Sequence, residues 1–253
     1  MVDSPRTTKR ELRVRRTPIE GGLEIRCEEN GRPRPFTALE SKAARRFASL
    51  QLVAKELAFC RALCVRSAAL TQQHRDAGGT TEYDPENQTM VQIRANYTAA
   101  VITYGKTFSG TGAGRFQLQW KRVFDGSGAR YLAFHRWVME NHRHQFIAHA
   151  QSDDLESGTT AVVFRNRVAS PQADAMFALI SYAAFYAGFS GSNFKSMLKL
   201  IDYVLGWVRD EQKALGDHIY RTELTNEHIP HLFAMSKEAM IEALPKRAPE
   251  IPD

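Results

Sequence analysis

Apolar side chains recur along this chain at intervals of three and four residues, the spacing that lines one face of an α-helix. Phe47, Leu50, Val53, Ala54, Leu57, Cys60, Cys64 and Ala68 predict a long helix over about 38–74. Lys42, Arg45, Arg46, Lys55 and Arg61 occupy its other sides, and Gly78-Gly79 should end it, because paired glycines disfavour helix. Ile93, Tyr97, Ala100, Val101, Tyr104 and Phe108 predict a second helix near 89–108. A third is expected over about 130–150. A fourth should start at Ser170-Pro171, with Pro near the first helical position and with Met176, Phe177, Ile180 and Ala184 on its buried side. The cleanest stripe opens near Ser192 and runs through Phe194, Met197, Leu198, Ile201, Val204, Leu205 and Val208. A last helix near 227–243 precedes a proline-containing tail.

Alternation with a period of two is rarer. Leu23-Glu24-Ile25-Arg26-Cys27 alternates between turn signals at Glu20-Gly21-Gly22 and Asn30-Gly31, which fits one strand of a small hairpin. Thr160-Ala161-Val162-Val163-Phe164 is β-prone and predicts a short excursion over 159–166. The expected fold is therefore mainly α, a helical bundle with a minor β element and a small N-terminal extension. The expected organisation is a basic extension over 1–36, one helical domain over 37–245 and a tail over 246–253.

Composition supports a folded chain: 43% of the 253 residues are hydrophobic and 25% are charged. The longest apolar stretch, 175–189, is shorter than the roughly 20 residues a bilayer requires, so it reads as a buried helix and no membrane span is expected. Residues 1–16 lack the apolar centre of a signal peptide. With only Cys27, Cys60 and Cys64, an odd number, reduced thiols and a cytoplasmic setting are expected. Cys60 and Cys64 read as small apolar core residues.

Charge narrows the partners. The net charge of +6 favours anions, nucleic acid foremost. Arg6, Lys9, Arg10, Arg13, Arg15 and Arg16 stand against Asp3 and Glu11 at the N-terminus. Residues 115–150 hold six more cations, among them Lys121, Arg122, Arg130 and Arg136, against Asp125 and Glu140. Those four are the candidate nucleic-acid contacts. The bland alternative for both segments is solvated surface.

Two familiar patterns fail. Gly105-Lys106-Thr107 imitates the end of a phosphate-binding loop, but Ala100 stands where that loop needs a glycine, and the segment falls in a predicted helix. The glycines at 110, 112 and 114 do not follow a strand within a βαβ unit, so they do not form a dinucleotide site.

Four of the eight histidines lie within 115–150, and His142, His144 and His149 fall within eight residues, with Asp153 and Asp154 close behind. Imidazole and carboxylate are ordinary metal ligands, but the fixed charge of Arg143 opposes a bound cation, so no metal and no other cofactor is expected. Arginine with histidine suits chemistry at a phosphodiester instead. Histidine exchanges protons near neutrality, and the guanidinium matches phosphate geometry through paired donors.

Arg143-His144-Gln145-Phe146-Ile147-Ala148-His149 resembles the signature of HEPN domains: Arg, then Asn, Asp or His, then about four residues, then His. Ala148-His149 followed by Gln151-Ser152-Asp153-Asp154 is similar to the ending common in that family. Two long helices before the motif and more after it are similar to the family's order, and the likeness covers about 40–215. The resemblance implies a HEPN-like helical bundle and a metal-independent RNase of the toxin or defence-system kind. It also implies a homodimer in which two motifs meet, with an antitoxin or other regulatory protein as a further partner. By position it makes Arg143 and His149 the catalytic pair and His144 the residue that orients them. The basic arm, the glycine-rich insert and the β segment at 159–166 are not core features of that family.

Other readings stand beside this one. Arg143 can simply pair with a nearby acid such as Glu140 while His149 caps a helix end. The chain can also be a non-catalytic helical module that binds nucleic acid, nucleotide or a protein. Phe134, Trp137 and Phe146 read as core aromatics more than as platforms for bases.

Overall fold

A computed structural model describes residues 12–20, 22–79, 84–109, 116–148, 156–164, 177–185 and 191–243. The chain divides into two compact units, one formed by 1–45 with 215–253 and the other by 46–214. The protein is mainly helical with a small antiparallel sheet. No described helix is long and apolar enough to cross a membrane.

The unit of 46–214 is built on helices α1 (Lys42–Asp76), α2 (Gln88–Phe108) and α5 (Gly191–Thr222). Asn87 starts α2 as an N-cap: its side-chain oxygen accepts from the backbone N–H of Thr89 at 3.0 Å and of Met90 at 3.2 Å. Ladder positions then set the packing. Cys60 Sγ donates to the carbonyl of Ala100 at 3.2 Å, and Ser67 Oγ to that of Ile93 at 3.3 Å. Residue numbers rise on α1 as they fall on α2, so the two helices run antiparallel. Gln51 with Gln212 (2.8 Å) and Arg61 with Asp202 (2.7 Å) tie α1 antiparallel to α5 in the same way.

The apolar stripes read from sequence face inward. Leu50, Val53, Leu57, Cys60 and Cys64 of α1 are buried, as are Ile93, Tyr97, Ala100, Val101, Tyr104 and Phe108 of α2. On α5 the buried set is Phe194, Met197, Leu200, Ile201, Val204, Leu205 and Val208, so Leu200 takes the core position expected for Leu198. Phe47, placed on the stripe by spacing, is exposed. Cys60 behaves as core: its hydrogen bond with Cys64 and then its burial push its thiol pKa well up, which leaves it inert.

The expected third helix is really a chain of three. A 3-10 turn (Gly126–Gly128) leads into α4 (Ala129–Trp137), and the backbone then widens to a π-helix over Val138–Ala148. A short helix, α3 (Trp120–Val123), precedes them.

Two expected helices are corrected. Residues 177–185 form strand β5 (Phe177–Phe185), paired antiparallel with β4 (Glu156–Phe164) from Glu156↔Phe185 to Phe164↔Phe177. Met176, Phe177, Ile180 and Ala184 fit a helical period, but a short, nearly continuous apolar run fits a strand equally well, and pairing with the β-prone segment decides it. The start of that expected helix, Ser170-Pro171, lies outside the described residues. The expected helix over 227–243 is instead α6 (His228–Ala234) followed by strand β6 (Ala239–Ala243).

The unit formed by 1–45 with 215–253 holds a four-stranded antiparallel sheet. Strand β2 (Gly22–Glu29) is central, and β1 (Leu12–Ile19) pairs along its whole length from Leu12↔Glu29 to Ile19↔Gly22. Its other edge is shared end to end: β3 (Arg32–Arg34) meets Cys27–Glu29, and β6 meets Gly22–Arg26. Asn30 (φ 53°) and Gly31 (φ 77°) form the β2–β3 turn, where both central residues must be left-handed. The hairpin expected around Leu23–Cys27 is present, and β6, the last described strand, pairs with it.

Candidate functional site

Helix α2 is clasped twice to the α4–π segment. Tyr104 and His135 share a hydrogen bond of 2.8 Å between the phenol and Nδ1, and Tyr97 and His142 share the same kind of bond. The tyrosines are seven residues apart, and so are the histidines, so one antiparallel register serves both pairs. His135 lies 4.6 Å from the ring centroids of both Phe108 and Phe124. His142 meets Trp137 edge-on, with centroids 4.0 Å apart.

Both imidazoles are buried, and both are pushed down to about 4. Burial is the main cause in each case, and the charge of Arg136 adds to it at His135. Burial also pushes the Tyr104 phenol well up. Both imidazoles are neutral across the physiological range. Their role is to fix the α4–π segment on α2, not to shuttle protons.

Arg143 follows His142 directly. It lies half-buried on the π-helix, and a Cβ at Gly105 would collide with its Cδ and Nε. The missing side chain at Gly105 is what gives the arginine stem its room. His144 shares the π-helix backbone, and its side chain lies outside the described residues. His149, Asp153 and Asp154 also lie outside them. Among the described residues, no group of three His, Cys, Asp or Glu gathers to hold a metal ion.

The four candidate nucleic-acid contacts divide. Lys121 on α3 and Arg136 on α4 converge on one indole: Lys121 Nζ lies 5.7 Å and Arg136 Cζ 5.5 Å from the ring centroid of Trp120. Arg130 lies 4.8 Å from the Tyr131 ring and donates to its hydroxyl at 3.0 Å. Arg122 is drawn elsewhere. Its Nη2 is 3.3 Å from a carboxylate oxygen of Glu211, which also takes Arg46 at 3.1 Å.

Gly105-Lys106-Thr107 sits inside α2, where Thr107 Oγ1 donates back to the Tyr104 carbonyl at 2.7 Å and Lys106 lies 3.5 Å from Glu56. It is helix, not a phosphate loop. Phe134 and Trp137 stack on each other at 5.2 Å and are half-buried, while the side chain of Phe146 lies outside the described residues. A cavity of about 1010 Å³ lies in the unit formed by 1–45 with 215–253, lined in part by Phe36, Leu39, Glu223, His228, His231 and Met240. It contains none of the residues singled out above.

Sequence reasoning missed the two Tyr–His clasps, Gly105 and Trp120. The matched seven-residue spacings of Tyr97 with Tyr104 and of His135 with His142 were a usable signal for the clasps. The sequence marks Gly105 only through the failed phosphate-loop pattern and does not mark Trp120, because each meets its neighbour, Arg143 or Arg136, from another element. No family model, curated protein or solved structure matches the chain.

Proposed function

We propose that this protein is a metal-independent endoribonuclease of HEPN type. The observation that carries the reading is the setting of Arg143: a half-buried arginine on a π-helix, against a glycine that leaves it room, beside a histidine locked into the core. π-helical turns are uncommon and cluster at functional sites. On this reading the 2′-hydroxyl of RNA attacks the adjacent phosphorus and the 5′-oxygen leaves, giving a cyclic phosphate. Arg143 stabilises the charge that builds on the phosphoryl oxygens. His149 transfers the proton, and His144 orients the pair. Two copies of the chain supply the two motifs of one cleft, and a regulatory protein of the antitoxin kind would act by covering it. The reading supports itself on residue chemistry and on the resemblance of the Arg143–His149 segment.

The test is cleavage of single-stranded RNA in the presence of a chelator. Arg143→Ala and His149→Ala should each lower the rate at least a hundredfold while leaving helical circular dichroism unchanged. Wild-type rates in either variant refute the assignment. A second reading, a helical module that binds RNA without cutting it, is favoured by the cation–aromatic cluster at Trp120, which requires no chemistry. RNA that is bound and stays intact with chelator present selects that reading.

A further inference from the structure

We infer that Trp120 is a stacking platform for an unpaired base of single-stranded RNA, flanked by Lys121 and Arg136 as its phosphate contacts. The choice of RNA rests on the reading given above; the platform itself requires no cleavage.

Trp120 is the first residue of α3 and is 37% exposed. It is the only large hydrophobic side chain among the described ones of 116–143 to be exposed. An indole costs free energy in water, and nothing local covers this one fully. Its two cations come from different elements, α3 and α4, so the tertiary fold assembles the cluster. At 5.5 and 5.7 Å from the centroid both sit near the outer limit of cation–π attraction, about 6 Å. They are attracted to the ring without being spent on it. Neither pairs with a carboxylate among the described residues, in contrast to Arg122 on Glu211. The local charge is therefore positive and open to an anion.

A ring with two cations close to it, neither paired with a carboxylate among the described residues, matches a ligand that alternates a flat π-face with a phosphate. That is a single strand, since a paired base has both faces already stacked. A membrane surface is a poorer fit. Interfacial patches combine tryptophan and cations with large aliphatic side chains that insert, and no large aliphatic side chain is exposed among the described ones of 116–143.

The test uses the full chain and a labelled twelve-nucleotide oligouridylate carrying 2′-O-methyl groups, which lacks the attacking hydroxyl and stays intact. Fluorescence anisotropy with chelator present reads affinity. Trp120→Ala should weaken binding about tenfold, and Trp120→Phe should retain most of it. Binding to a duplex of the same length should not change with Trp120→Ala. Lys121→Gln and Arg136→Gln should each flatten the salt dependence by about one phosphate contact. Thermal melts confirm that each variant is folded.

Equal affinity of the Trp120→Ala and wild-type proteins for the single strand overturns the inference. So does a Trp120-dependent association with anionic phospholipid vesicles in the absence of oligouridylate binding. Cleavage by the wild-type protein is measured separately on unmodified RNA. Trp120-dependent binding without cleavage upholds the platform and removes the nuclease reading, and cleavage with Trp120-independent binding does the reverse.

Discussion

At the scale of single residues, Gly105 and Arg143 show how one side chain depends on the absence of another. Gly105 lies inside α2, where alanine would ordinarily stabilise the helix by about 0.5–1 kcal/mol. Here the new methyl would meet the Cδ and Nε of Arg143, the far part of a flexible side chain that can swing aside. Gly105→Ala is therefore expected to leave the thermal midpoint level or raise it, while moving the guanidinium. If Arg143 acts on phosphate, the rate of chelator-resistant cleavage should fall at least tenfold in a protein that is no less stable. A wild-type rate would mean that the position of Arg143 is immaterial to catalysis. The arginine could be singled out from sequence because its type and its spacing to His149 are themselves chemical statements. Its glycine could not, because the two are far apart in the chain and meet only across a helix pair.

At the scale of elements, the boundaries that sequence placed well are those with local causes. The start of α2 is an example: Asn87 precedes the first apolar-periodic residues, and its side chain closes on Thr89 and Met90. Asn87→Ala should cost about 1 kcal/mol in chemical denaturation, and Asn87→Asp or Asn87→Ser should recover most of it. An unchanged midpoint in the alanine variant would show that the cap contributes nothing. The elements that sequence misplaced have non-local causes. Strand β5 exists through its pairing with β4, and β6 through the open half of the β2 edge that β3 leaves uncovered. The π-helix over Val138–Ala148 belongs with them: an α-helical period reads the same at its start, and the Tyr97–His142 clasp ties that backbone to α2, while Tyr104–His135 ties α4 just before it.

At the scale of the whole molecule, the buried histidines couple the helical unit to pH. His135 and His142 are neutral in the fold, at about 4 against 6.5 for the free side chain. As pH falls below about 6.5 the unfolded chain takes up protons that the folded one refuses. The stability these rings contribute is therefore complete above pH 6.5 and is lost progressively down to about pH 4. It amounts to roughly 3 kcal/mol per ring at most. Urea unfolding at steps from pH 7.5 to 4.5 should show this loss, and His142→Phe should flatten the slope relative to the wild type. Parallel slopes in the two proteins would mean that His142 stays unprotonated in both states or is charged in both.

The periodic apolar positions by themselves determined three of the long helices, their buried faces and the small N-terminal hairpin, because burial of a stripe is a local property of the helix or strand that bears it. The charges and the Arg143–His149 pattern determined which chemistry to look for. Only the tertiary structure decided which cations meet a described carboxylate, since Arg122 is taken up by Glu211 while Lys121 and Arg136 gather at Trp120. It also decided that His142 serves the core and that a glycine on α2 makes room for Arg143. Those outcomes depend on which side chains meet from distant parts of the chain, and a one-dimensional pattern carries no distances between them.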